Sequence, residues 1–334
     1  MRIRQIRSSI LQSAVPDTRP SDPERPTVVQ PPLLMGGALW AVVAVVGLVH
    51  GLNWPVMSYG VELMSPAWLT VCRLGTGAVV VAAVMAARGR LRLPSRGDVP
   101  VVVSVGVVQL AAVYLLMFVA LTLAPAGRSA VLLHTSALWA VPIAMLVLSE
   151  RYTVTTILGL LAGIAGVLFL LAPWEAGFFE STRPLGYGLL LAGAVINAAV
   201  TVHIRSHRWT ASPLELLPWQ LGLGCVVAAT YALTTSGVPA IEVSWQAVLV
   251  VLYQGVFASA IGVWGVLAIS RSLGAVSSNL SLMVVPVLGL VSSAVLLSEG
   301  LPIYVVVGLA MILVGAAVGI IATRASPSGA DPRG

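Results

Sequence analysis

Between Leu34 and Thr323 one pattern recurs ten times: an apolar run of about 20 residues, then a short polar break. A run of that length crosses a hydrocarbon core about 30 Å thick as an α-helix rising 1.5 Å per residue. In lipid every backbone N–H and C=O must find its partner inside the segment, so the runs are expected to fold as spanning helices. The alternating strands of a membrane barrel would read differently. The spans expected are 36–58, 66–87, 99–122, 127–148, 154–172, 185–204, 213–234, 246–268, 275–297 and 303–323. Hydrophobic residues make up 58% of the 334 positions and charged residues 9%, a balance that a water-facing surface does not tolerate. The fold class is therefore an all-α membrane protein.

The 18 basic residues are all arginines, and their distribution sets an orientation by the positive-inside rule. With the N-terminus inside, Arg88, Arg90, Arg92, Arg96, Arg151, Arg205, Arg208, Arg271 and the arginines of both tails fall on the inner side; Arg128 and Arg183 fall outside. Both termini are expected in the cytoplasm. The same scatter speaks against nucleic acid as a partner, because the net charge of +6 is not gathered in one patch. Residues 1–33, with PDTRPSDPERP, have no apolar core of a secretory signal and are expected to form a disordered cytoplasmic tail, and residues 324–334 a second cytoplasmic tail. Cys72 and Cys225 fall inside helices at unmatched positions and read as small packing residues, not a disulfide.

Set against itself, the chain repeats. At an offset of 147, SPAWLTVCRLGTG (65–77) lies on SPLELLPWQLGLG (212–224). At an offset of 149, SERYTVTTILGLLAGIAG (149–166) lies on SEGLPIYVVVGLAMILVG (298–315), and Gly106 matches Gly255. Each repeat holds five helices, the first over 36–172 and the second over 185–323. An odd number makes the second copy enter the membrane from the opposite side, the inverted arrangement of secondary transporters whose substrate binds near the midplane. A duplication without that role would leave the same trace.

Ten helices in two five-helix repeats, Arg73 after a Ser-Pro start in the second helix, the run PVLGLVSSAVLLSE from Pro286 to Glu299, and a Glu followed by Gly-x6-Gly in each half are together similar to the EamA-type branch of the drug/metabolite transporter superfamily. The resemblance covers about 36–323 and implies a carrier of small metabolites in the bacterial inner membrane, often an exporter of amino acids or related compounds. One departure is visible: Ala137 stands where the second half has Pro286, with the nearest proline displaced to Pro142.

Arg73 is the residue hardest to place in oil. It lies eight residues into its helix, about 12 Å from the end, and a guanidinium does not deprotonate. It must face the bundle interior, a wet cavity or a partner. No Asp or Glu sits at mid-depth, so either carbonyls, hydroxyls and aromatic faces hold it, or it awaits a substrate carboxylate. Gln220 occupies the matching repeat position.

His50, Asn53, Trp54, Tyr114, His134, Trp139, Asn197, Trp219, Tyr253 and Asn279 are the other polar or aromatic residues read at depth. Singly each suits interhelical hydrogen bonding; as a set they suggest a wet, aromatic-lined substrate cavity. His50 and Asn197 match in the repeat and are expected near one another. Glu150 and Glu299 read as carboxylates at the positive ends of helix dipoles, and Ser212-x-x-Glu215 as a capping box. The glycines of the fifth and tenth helices, Gly159, Gly163, Gly166, Gly308 and Gly315, permit close helix contact, inside one chain or between two in a homodimer.

No Walker motif, clustered aspartates, His-Glu-x-x-His or Gly-x-Ser-x-Gly appears, so no enzyme, ATP, metal or cofactor is expected. Without a buried carboxylate, uniport or exchange by alternating access is the expected mechanism, with His50 and His134 the residues available for proton coupling. A membrane sensor that binds without flux, or a carrier of hydrophobic or cationic drugs, remains open at this point. Saturable flux in liposomes separates a carrier from a sensor.

Overall fold

A computed structural model describes residues 34–148, 153–207, 210–238 and 244–325. The tail 1–33, most of the tail 324–334, and Glu150, Arg151 and Arg208 lie outside the described residues. Among the described residues ten helices are long and apolar enough to span a bilayer: α1 Gly36–Leu63, α2 Pro66–Ala87, α3 Val99–Leu121, α4 Ala126–Val147, α5 Val154–Leu171, α6 Arg183–Ser206, α7 Pro213–Ser236, α8 Trp245–Leu273, α9 Ser277–Leu296 and α10 Ile303–Ile321. Two overrun the sequence expectation by more than a turn, α1 past residue 58 and α8 past 268, by five residues each. The continuing residues are good enough helix formers to carry the ladder on to Leu63, where the Met64 N–H closes it on Gly60.

Local signals set several boundaries. Ser65 accepts from Trp68 N and Pro66 opens α2, using a position that needs no N–H. At α7 both arms of the Ser212–Glu215 capping box are formed.

The packing repeats when five helices are added. The pair α1–α9 recurs as α6–α4, α2–α8 as α7–α3, and α3–α6 as α8–α1; α2 packs on α7, α4 on α9 and α5 on α10. The glycine seam of α5 and α10 shows the relation residue by residue. A Cβ on Gly166 would lie 2.7 Å from the Gly308 carbonyl oxygen, and one on Gly159 would lie 3.0 Å from that of Gly315. Since 159 matches 308 and 166 matches 315, each glycine faces the other half's copy of its partner, and the two helices run antiparallel. The small residues thus serve a contact within the chain.

Irregularities repeat as well. Wider π-helical turns occupy Ser104–Ala112 of α3 and Tyr253–Ile261 of α8, again 149 apart. Helix α4 is interrupted at Thr135 and α9 at Met283. In α9 the break lies by Pro286, whose missing N–H cannot bond the carbonyl four residues back. In α4, which lacks that proline, the Thr135 hydroxyl donates to the Leu132 carbonyl at 2.6 Å, a back-bond that competes with the ladder.

The main buried core gathers toward one end of the bundle, where Trp54, Met57, Leu69, Phe118, Leu132, Leu170, Tyr187, Leu290 and Val305 pack together. The connections α3–α4, α5–α6 and α9–α10 lie at that end. A smaller cluster of Leu74, Val81, Met85, Leu217 and Leu221 joins α2 to α7.

Candidate functional site: a cavity at two broken helices

The breaks in α4 and α9 flank a cavity of about 610 Å³, walled also by α5, α6 and α10. Apolar residues such as Leu138, Leu160, Ile312 and Leu313 make most of its surface, and His134, Ser136, Thr156, Thr201, Asn279 and Arg205 are its polar members. Among the described residues no Asp or Glu lines it. Thr201 and Arg205 are exposed and mark the mouth, at the end of α6. His134 bonds through Nδ1 to the Ala130 carbonyl at 2.7 Å, which leaves Nε2 as the imidazole nitrogen for other partners. The ring of Trp54, 6.2 Å from that of His134, packs behind it against Gly289.

Of the residues expected at a substrate site, His134 and Asn279 line this cavity and Trp54 backs it. Arg73 does not line it. Its guanidinium, 4% exposed, donates to Gln254 Oε1 at 2.5 Å and Tyr114 Oη at 3.3 Å, reaches Met57 Sδ at 3.4 Å, and lies 4.2 Å from the centre of the Tyr114 ring. Asn53 shares the Met57 sulfur at 3.3 Å. This second polar cluster ties α1, α2, α3 and α8 together, an arrangement of oxygen, sulfur and π-face that holds a cation without a carboxylate.

The rest disperse. His50 bonds the Val46 carbonyl of its own helix and packs on Gly262 of α8, while Asn197 accepts from Gln109 Nε2 on α3 at 2.6 Å. The expected His50–Asn197 neighbourhood is therefore corrected: each faces a helix of the same repeat-related pair type, α8 or α3. Tyr253 donates to the Val49 carbonyl at 2.8 Å. Trp139 donates to Thr135 Oγ1 at 3.2 Å, beside the break in α4. Gln220 is buried with its carbonyl against Gly106. Trp219 turns away from the bundle interior toward the α2–α3 connection, where its indole donates to the Arg92 carbonyl at 2.8 Å.

Sequence reading missed Arg205, Thr201, Thr156 and Gln254. Asn197, Thr201 and Arg205 recur every four residues on α6, a polar stripe that marks one face, but Arg205 was absorbed into the inner-loop arginines.

At the packed end, Glu299 accepts from the backbone N–H groups of Ala126 and Gly127 at 2.6 and 2.9 Å. It thus caps α4, not the helix that follows it, and Gly127 leaves room for its carboxylate. Nearby, Glu175 pairs with Arg128 at 3.3 Å and Arg183 at 2.7 Å and accepts from Tyr304. Burial works to raise the Glu175 carboxyl, but the Tyr304 and Arg128 hydrogen bonds and both arginine charges bring it below its ordinary value. At the other end the Asp98 carboxyl is pulled down to about 2 by hydrogen bonds from the Thr210 hydroxyl and backbone N–H and from Ser95.

Comparison with known proteins agrees with this architecture. A solved crystal structure superposes with a TM-score of 0.59 at 23% identity, covering 86% of this chain and 99% of that one, which establishes a shared fold. An uncharacterized transporter of Clostridium kluyveri is 26% identical over 60% of this chain, a match that spans 65% of the relative's length. A probable terminal-alkyne amino-acid exporter of Streptantibioticus cattleyicolor is 27% identical over 85% of this chain and 91% of its own. Residues 35–172 match the EamA-like transporter family. This is a multi-pass membrane protein whose residues 35–172 are similar to the EamA-like transporter family.

Proposed function

We propose that this protein is a secondary transporter that exports a small metabolite, an amino acid or related carboxylate, across the bacterial inner membrane by alternating access. Both termini and the Arg205 mouth face the cytoplasm in this reading, as the arginine distribution favours. The observation that carries it is the cavity at the paired breaks of α4 and α9. Discontinuous helices where two related halves meet are where secondary transporters hold their substrates. The recurrence of packing after five helices, and the antiparallel glycine seam of α5 and α10, support an inverted repeat.

The lining supports the substrate class. Among the described residues a cation entering would find no counter-charge, whereas a carboxylate meets Arg205 and a hydrogen-bonding set in His134 and Asn279. The apolar walls suit an apolar side chain, and a relative named as an amino-acid exporter is consistent with that. Arg73 acts in this scheme as a tie between helices.

The test compares metabolites outside cells that overproduce the protein with those outside cells producing Arg205→Gln or Arg73→Gln. A carboxylate-bearing compound should accumulate with the wild type, decline with Arg205→Gln, and persist with whatever Arg73→Gln protein folds. An unchanged profile in wild-type overproducers refutes export.

A further inference from the structure

We infer that the carrier binds its substrate firmly only while open at the Arg205 end, and that the opposite exit is an apolar passage through Trp54, Ala130 and Val305. This rests on the transport reading above. It follows from asking which lining residues have their repeat counterparts in the cavity too.

Two repeat pairs lie wholly within the cavity: His134 with Met283, and Ala137 with Pro286. Both members of each pair stand at the helix breaks, so this floor belongs to either conformation. The remaining polar residues have counterparts elsewhere. At the offsets that align the two halves, Ser136 matches Val285, Thr156 matches Val305, Asn279 matches Ala130, Thr201 matches Trp54 and Arg205 matches Ser58. Ala130 and Val305 are fully buried and Trp54 is 3% exposed, all three inside the dry core at the far end. The positions that form a vestibule at one end thus form its plug at the other.

Exchange of conformations between the halves opens that plug and closes the vestibule. The wall then offered to the substrate has lost a guanidinium, an amide and three hydroxyls, and has gained an indole, a methyl, two isopropyl groups and a serine. A carboxylate loses its charge-assisted partner on passing from one vestibule to the other, a difference of about tenfold or more in half-saturating concentration. The asymmetry does not drive net flux, which the gradient sets. It lets the protein load at low concentration on one face and resist reloading on the other.

The test measures counterflow of radiolabelled L-leucine, L-methionine and L-phenylalanine in inside-out and right-side-out vesicles containing the full chain. The half-saturating concentration should be at least about tenfold lower on the Arg205 face, and the double variant Arg205→Ser with Ser58→Arg should cancel or invert the ratio. Equal half-saturation on both faces of a wild type that transports overturns the inference and leaves the transport reading standing. Failure of all three probes in both vesicle types counts against the transport reading and removes the inference with it. A readout without substrate uses Cys72→Ser, Cys225→Ser protein with one new cysteine. An impermeant thiol reagent should modify Thr201→Cys from the Arg205 face and Ala130→Cys, more slowly, from the opposite face. Modification of Ala130→Cys from the Arg205 face, or from neither, overturns the exit path.

Discussion

The two ends of the bundle are held in different ways. At the packed end, carboxylates bridge separate helices: Glu299 joins the α9–α10 connection to the first turn of α4, and Glu175 gathers Arg128 of α4, Arg183 of α6 and Tyr304 of α10. These bonds rest on a dry core. At the cavity end, the hydrogen bonds organised by Asp98, with His207 on the Gly97 carbonyl and Trp219 on the Arg92 carbonyl, fasten the α2–α3 connection to the one between α6 and α7. The contrast teaches where the barrier to opening lies. Separating α4 from α10 at the packed end breaks several charge-assisted bonds together, while at the cavity end the two helices meet through small apolar contacts such as Val141 against Gly319.

The repeat sharpens the point. Ser277 stands where the first half has Arg128, and Thr155 where the second half has Tyr304, so the charged bridge exists in one half's setting alone. The Arg128–Tyr304 part of the latch is thus written into one copy of the repeat, while Glu299 has its sequence match in Glu150.

Glu299→Ala should have the largest effect on this contrast. Two backbone donors of α4 lose an ionised acceptor, each such bond being worth about 1.5–3 kcal/mol, so the packed end should lose about 3 kcal/mol or more. In detergent, thermal unfolding followed by a thiol-reactive dye on Cys72 and Cys225 should shift to lower temperature, and Ala130→Cys should label faster. An unchanged midpoint would show that the carboxylate restrains nothing.

Arg73→Gln comes next, at about 2 kcal/mol, because Gln254 and Tyr114 lose their charged donor inside the bundle. The unfolding midpoint should fall while thiol labelling at both ends keeps its sidedness. A change in half-saturation without a change in midpoint would instead place Arg73 at the substrate.

Much of this architecture was legible from hydropathy alone. Ten apolar runs give ten helices within about a turn and a half at each end, because in lipid the backbone has no other way to satisfy itself. The Ser-Pro start of α2 and the capping box of α7 were equally local, and both formed. The site was less legible, for a physical reason. A helix carries its polar residues on several faces, and one chain does not say which face meets a cavity and which a neighbour. His134 and Asn279 were found because they are polar at depth. Arg205 was missed because the same residue type explains itself as a positive-inside marker, and Arg73 drew notice because a buried charge is conspicuous whether or not it touches substrate. The break in α4 was hidden too, since Thr135 carries none of the signal that proline gives in α9.

Glu175→Gln should weaken the latch by about 1–2 kcal/mol, less than Glu299→Ala because the carboxylate is partly exposed and screened. Its folded-state carboxyl titrates below its ordinary value, so its contribution is fully present above about pH 4.5 and is lost as pH falls toward the lowered value. The wild type should therefore lose midpoint on acidification below that pH, and Glu175→Gln should lose less. Equal slopes for the two proteins would remove Glu175 from the latch.

Asp98→Asn at the cavity end should be the mildest, about 1 kcal/mol, since an amide oxygen can still accept from Thr210. The Asp98 carboxyl is held near 2 against an ordinary 3.8, so its contribution stands above about pH 4 and fades as pH falls toward 2. It joins two connections and reaches none of the Glu175 partners. Asp98→Asn should thus leave labelling of Ala130→Cys at the packed end unchanged and still lower the unfolding midpoint slightly. Faster labelling of Ala130→Cys in this variant would mean that the two ends are coupled through the α2–α3 connection, and that opening at one end is felt at the other before α4 and α10 part.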